Sequence, residues 1–227
     1  MKRGLAVIVI LCLTLLASSC VPSDIVVLDP SDHARIMAGV VDNSDEIITI
    51  LTTPTVEQLL NAAREVEDIS SATKTKIQYV LDLLPGLDGW LAEIPDETWQ
   101  ALDEIMGNVT DLETVALTRS FLQDAIDSGE YDDYEWLPEA LEFGIGMLDA
   151  GENTIYNSGW APYDDPPLIG FNVSQLWKED LEGGIAGAVG CALDDAVPDQ
   201  YAVGIGGVVG AVDSSIADLI DQLSSWW

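Results

Sequence analysis

Positive charge is what this chain has least of. Its 227 residues include 8 lysines and arginines against 40 aspartates and glutamates, a formal net charge of −32 at pH 7. Two of the eight, Lys2 and Arg3, stand at the start, and a chain without them has six basic residues against 40 acidic ones, about −34. Phosphate backbones are held by stripes of lysine and arginine, so the composition sets nucleic acid aside as a partner. A surface for acidic lipid headgroups is set aside for the same reason. Histidine is scarcer still, with only His33, in Ser31-Asp32-His33-Ala34. A single histidine without neighbouring cysteines does not make a zinc site, and a Ser-His-Asp relay would require the fold to bring a serine or cysteine to it. Nothing local to His33 suggests that, so the expectation is a structural or solvated side chain. Cysteine is limited to Cys12, Cys20 and Cys191. Cys12 lies in an apolar leader and Cys20 is assigned below, which leaves Cys191 alone and excludes an internal disulfide. Between Gly190 and Ala192, with no histidine nearby in sequence, Cys191 is expected to be a small buried apolar side chain and not a nucleophile. Runs of β-branched residues are nearly absent. Residues 47–52 form the one such run, and a lone strand has nothing to pair with, so helix is expected there too.

Chemistry-bearing motifs are missing as well. The glycines of 204–210 follow no strand and lead to no Lys-Ser/Thr, so they are neither a phosphate loop nor a dinucleotide fingerprint. Carboxylate pairs such as Asp132-Asp133 with Glu135, Asp164-Asp165 and Asp194-Asp195 arise by chance in so acidic a chain, and none fits the twelve-residue calcium loop. The sequence therefore predicts no catalytic residue, no metal ligand and no cofactor, and a protein that is not an enzyme.

What the chain does have begins with a leader. Met1-Lys2-Arg3-Gly4 is positive, Leu5 to Leu16 is apolar apart from Thr14, and the run is too short for a permanent membrane span of about 20 residues. Leu16-Ala17-Ser18-Ser19-Cys20 follows, and it resembles the lipobox of prokaryotic lipoproteins. The resemblance implies removal of residues 1–19, lipid on Cys20, and a membrane partner engaged through that lipid, with residues 20–30 as a tether. The cell envelope, facing periplasm or exterior, is the location it implies. The acid-rich, lysine-poor composition is similar to the surface of proteins from halophilic prokaryotes.

The remaining chain is punctuated into helices. Nearly half of it is hydrophobic and the apolar residues recur at helical spacing, which separates it from acidic disordered segments. Ser31 is read as the cap of a first helix through Ile36 and Val40, reaching as far as Leu51. Thr55-Val-Glu-Gln58 and Thr110-Asp-Leu-Glu113 have the form of capping boxes. Between them come a segment with Ile77, Val80, Leu81 and Leu84 ended by Pro85-Gly86, a turn containing Trp90, and a helix from Asp96 closing near Gly107. A helix ending at Ser128-Gly129 follows, then one opening near Pro138. The expected fold is all-α: five to seven helices over 31–160, a Pro/Asp linker over 161–173, and a helical hairpin over 174–227.

That hairpin carries rows of small residues. Gly183, Gly187 and Gly190 mark its first helix and Gly206 and Gly210 its second, at the three- and four-residue spacing that places them on one face. Each glycine costs a helix about 1 kcal/mol relative to alanine, so the rows predict main chains in near contact that recover the loss. The two segments are similar to the glycine zippers of envelope proteins and bacteriocin-like peptides, which implies close helix packing and no active site. Two functional expectations follow. One is a non-enzymatic, lipid-anchored envelope protein whose zipper packs internally or against another copy. The other is a bacteriocin-like protein whose hairpin enters membranes; stretches of about a dozen apolar residues, ~20 Å of helix, argue against that alternative.

Overall fold

The computed structural model describes residues 25–42, 55–112, 114–152, 173–194 and 196–224. The leader, Cys20, residues 21–24 of the tether, the β-branched run and residues 161–172 of the linker lie outside the described residues. Among the described residues every regular element is helical: α1 (Pro30–Asp42), α2 (Val56–Glu65), α3 (Ser71–Leu83), α4 (Leu87–Glu93), α5 (Asp96–Thr110), α6 (Val115–Ser128), α7 (Leu137–Gly151), α8 (Val173–Leu193) and α9 (Asp199–Ser224). The fold is all-α, as the sequence predicts.

Helix starts follow local chemistry, with two corrections. At Thr55 the box closes in both directions, the hydroxyl accepting from Gln58 N and the Gln58 side chain accepting from Thr55 N. At Thr110 it does not form. Thr110 is the last residue of α5 and its hydroxyl turns back to Met106 O at 2.9 Å, while Thr114 caps α6 by accepting from Leu117 N. Two threonines four residues apart offered the same cap, and the apolar face of α5 carries its helix on through Val109, which is fully buried, so the later threonine is used. Ser31 does not cap α1 either. Asp29 does, accepting from Ser31 N at 2.8 Å, while Asp32 accepts from Asp29 N at 2.9 Å. Pro85-Gly86 bends the chain without freeing it, through a 3-10 turn, Leu84–Gly86, that leads directly into α4. Gly129 ends α6 in the left-handed region, φ +67°, where only glycine is unstrained.

The C-terminal pair α8 and α9 occupies the centre. Around α9 stand α1, α2, α3, α4 and α7, and around α8 stand α4, α5 and α7. One apolar cluster joins Ile36, Met37 and Val40 of α1 and Leu59 and Leu60 of α2 to Ile205, Val208, Val212 and Ile216 of α9. A second joins Leu102 and Ile105 of α5, Leu122 of α6 and Leu137 and Leu141 of α7 to Leu181, Ile185 and Val189 of α8. Both clusters contain body and tail residues, so the core runs across the division at 161–173.

Four of the glycines lie on the contact line between the two central helices. A Cβ on Gly183 would sit 2.6 Å from Gly210 O, and one on Gly206 would sit 2.8 Å from Gly187 C. Those distances are below what any real Cβ tolerates, so only hydrogen fits. Gly190 departs from the expected row: it faces α4, where a Cβ would stand 2.6 Å from Trp90 O. Neighbouring glycines serve α7, since a Cβ on Gly184 would meet Met147 Sδ at 2.7 Å and one on Gly207 would run into the Phe143 ring. The small residues thus admit α4 and α7 as well as the partner helix.

α9 is also longer than a dozen residues. It runs for 26, or about 39 Å, because Asp213 sits half-buried inside it without interrupting the helix. Among the described residues its segment Asp199–Asp221 is long and apolar enough to cross a membrane, but 61 % of that segment's most apolar window is buried within the protein. Length therefore no longer argues against insertion; burial does.

Scarce cations are spent between helices. Lys76 of α3 bonds Asp32 of α1, Arg64 of α2 bonds Gln78 of α3, Arg119 of α6 pairs with Asp149 of α7 and with Glu152 just after it, and Lys178 of α8 donates to Thr110 O at the end of α5 at 2.6 Å. Asp32 is the most deeply placed of these acids, fully buried, accepting from both Arg35 and Lys76 on one oxygen and from Asp29 N on the other. Asp32→Ala removes the acceptor of the Asp29 N–H at the start of α1 and strands the Lys76 ammonium, and is expected to cost about 3 kcal/mol. Urea denaturation checks this, and a loss below about 0.5 kcal/mol would mean that the bonds carry no net stability.

Candidate functional site

Asp32 and His33 are consecutive on α1, about 100° apart around the helix, so they face different neighbours. Asp32 turns to α3, and His33 turns to the centre. There the imidazole meets a serine and an aspartate contributed by the two central helices. His33 Nε2 lies 3.0 Å from Ser215 Oγ of α9 and 3.5 Å from Asp180 Oδ2 of α8. Ser215 Oγ is also hydrogen-bonded to Asp180 Oδ1, and it lies 2.7 Å from Ala211 O, one turn back along its own helix. The three residues are 3 %, 0 % and 2 % exposed for His33, Ser215 and Asp180, so solvent does not reach them.

Sequence reasoning gave His33 no serine, and the fold supplies one together with an acid. The arrangement is not that of a nucleophilic relay. A relay needs the acid on one imidazole nitrogen and the serine on the other, so that the acid orients the ring toward the hydroxyl. Here both approach Nε2. The adjoining cavity, lined by His33, Met147, Leu148, Trp177, Asp180 and Leu181, has a volume of about 10 Å³, room for one water and for no organic substrate. Asp180 lines that cavity, and its Oδ2 is without a hydrogen-bond partner.

Burial sets the protonation of the pair. It pushes the His33 imidazole down from 6.5 to about 4. It raises the Asp180 carboxyl well above the usual range; the Ser215 hydrogen bond opposes this, and the nearby acids Asp218 and Glu179 reinforce it. The cluster is thus a polar knot inside an apolar interior, where an unpaired charge costs several kcal/mol.

A second concavity, about 180 Å³, opens between α4, α5, α8 and α9. Leu87, Leu91, Trp99 and Ala186 form its apolar wall, Glu179, Glu182 and Asp213 bring acids to it, and Gly183 and Gly210 also line it. Burial raises Glu179 and Asp213 above the usual carboxylate range, and Asp88 adds to the effect at Asp213.

Cys191 is fully buried and its thiol is pushed up to about 12 by burial, with Asp194 adding to it, which leaves no thiolate at neutral pH. Among the described residues no group of three or more His, Cys, Asp or Glu is placed to hold a metal ion.

Asp180 and Ser215 were each visible as anomalies of pattern. Asp180 falls at the three- and four-residue spacing between Trp177 and Gly184, and Ser215 between Val212 and Leu219, so each is a polar residue on an otherwise apolar helical face. Their meeting was not visible, because 35 residues separate them and His33 is 182 residues from Ser215. Comparisons with protein-family models, with curated proteins and with solved structures found no match to the chain.

Proposed function

We propose that this chain is a non-enzymatic, lipid-anchored protein of the cell envelope, held to a membrane through lipid on Cys20 and serving a structural or interaction role in a salt-rich medium. The observation that carries the reading is the use made of α9. Its apolar faces are engaged by α1, α2, α3, α4, α7 and α8, so the tail supplies the core of a compact body and is not a loose membrane-seeking hairpin. The positive start, the apolar run and Ser18-Ser19-Cys20 supply the anchor. The acid excess supplies a hydrated surface that repels its own copies at low salt.

Length favours one other reading, a bacteriocin-like protein, since α9 could span a bilayer if it were released from the body. Release would expose the apolar faces of α1, α2 and α7 to water, and this cost places the anchored reading first. In cells fed radiolabelled fatty acid the wild-type protein is expected to take up label and partition into detergent, whereas Cys20→Ala takes up none and partitions into water. Equal partitioning of the two would overturn the anchor. The lipid-free mature chain is expected to release no dye from liposomes at low or high salt; release would favour the membrane-active reading.

A further inference from the structure

We propose that the His33, Ser215 and Asp180 cluster is a proton-binding site, at which the folded chain at neutral pH carries one proton more than the unfolded chain, so that alkaline pH loosens the seat of α1 on the central pair.

Counting hydrogens leads there. A hydroxyl has one hydrogen to donate and two lone pairs to accept. Ser215 Oγ has three polar neighbours, Ala211 O, Asp180 Oδ1 and His33 Nε2. If the hydroxyl hydrogen goes to Ala211 O, which only accepts, then Asp180 must donate a carboxyl proton to Oγ and His33 must donate its Nε2 hydrogen. Every contact is then satisfied, with a neutral acid and a neutral imidazole. If instead the hydrogen goes to an ionised Asp180, a buried negative charge remains, with Oδ2 unpartnered. The charged groups that act on it from α8 and α9, Glu179 and Asp218, are both acids, and α7 contributes Met147 and Leu148 to the cavity wall. From α1 comes His33, whose imidazole would have to be doubly protonated to compensate. Both assignments hold the same number of protons. An ionised Asp180 beside a neutral His33 is the one alternative with fewer, and it leaves a charge with no opposite charge beside it in an apolar interior. The lowered imidazole and raised carboxyl favour the first assignment.

In the unfolded chain near pH 7.5 the aspartate is ionised and the histidine mostly neutral. The sign follows. From about pH 4 to 6.5 both states hold one proton on the two groups, the folded chain on Asp180 and the unfolded chain on His33, and stability is flat in this respect. Above 6.5 the unfolded chain releases its proton while the folded chain keeps it, and stability falls as pH rises until Asp180 ionises in the fold.

The test uses the mature full-length chain. Between pH 7 and 8 the unfolding equilibrium constant is expected to rise about tenfold, and refolding at pH 7.5 into a weakly buffered indicator solution is expected to take up about one proton per chain. Asp180→Asn, which keeps a hydrogen-bond donor toward Ser215 without a titrating proton, is expected to show a nearly flat dependence and no uptake. The small alkaline contribution of Cys191 is common to both chains and cancels in the difference. A wild-type constant that does not change over this range, with no proton taken up, would overturn the proposal. Should the asparagine variant not fold, proton uptake by the wild-type chain on refolding decides, and NMR of the imidazole checks that His33 does not titrate, since it is the only histidine in the chain. Its resonances are expected to stay constant from pH 5 to 8 in the folded protein, and an ordinary titration near 6.5 would overturn the proposal.

Discussion

Replacing Gly187 with leucine is expected to leave no folded protein. A Cβ at that position would already fall 3.1 Å from the carbonyl carbon of Gly206 and 3.0 Å from Gly210 Cα. These are main-chain atoms of α9, and α9 is held in turn by five further helices, so no single side chain can swing aside. Gly187→Ala separates packing from propensity. Helix propensity alone would favour alanine by about 1 kcal/mol, while overpacking a tight contact costs about 1–3 kcal/mol and more against backbone. The net expectation is destabilisation. Gly89 and Gly107 provide the opposite sign: each lies inside a helix, is exposed, and has nothing within 4 Å of an added Cβ. Gly89→Ala and Gly107→Ala are each expected to stabilise by about 0.5–1 kcal/mol, or roughly 1–4 °C in melting temperature. Thermal denaturation of the four variants gives the answer. Folded Gly187→Leu with the wild-type midpoint would show that α8 and α9 do not meet through their main chains.

Salt is expected to have the second largest effect, raising the melting temperature by about 10 °C or more between 0.1 M and 2 M sodium chloride. Two terms compete. Salt weakens the attractive pairs formed by Arg35, Arg64, Lys76 and Arg119, and it also weakens repulsion among 40 acids. Repulsion wins on number and on exposure. The screening length falls from about 10 Å at 0.1 M to 3 Å at 1 M for solvent-exposed charges, whereas buried groups such as Asp32 are screened much less. Circular dichroism melts across a sodium chloride series check the prediction, with choline chloride as a control for screening without a specific cation. A flat or falling midpoint would remove the reading of the surface as an adaptation to salt.

The buried cluster and the surface answer pH and salt separately. Proton uptake at His33 and Asp180 takes place in an interior that ions do not enter, so the alkaline loss of stability is expected to persist in high salt, where surface repulsion has been suppressed.

Local residue patterns were enough for the helical class, the start of α2, the end of α6, the start of α7, and the requirement that glycines be met by something close. Each of these depends on residues within a turn or two of one another: a threonine and a glutamine three apart at Thr55, a glycine after Ser128, a proline at the first turn of α7, a glycine every three or four residues. Tertiary structure alone decided which surface each glycine meets. Gly190 and Gly183 share a pattern, yet one touches α4 and the other α9, because a helix presents its small residues around an arc wide enough for two neighbours. It also decided that His33, Asp180 and Ser215 share one hydrogen-bonded knot. Spacing along a helix fixes which side chains share a face but carries no information about which other face will be laid against it. That choice comes from packing the other described helices around α8 and α9.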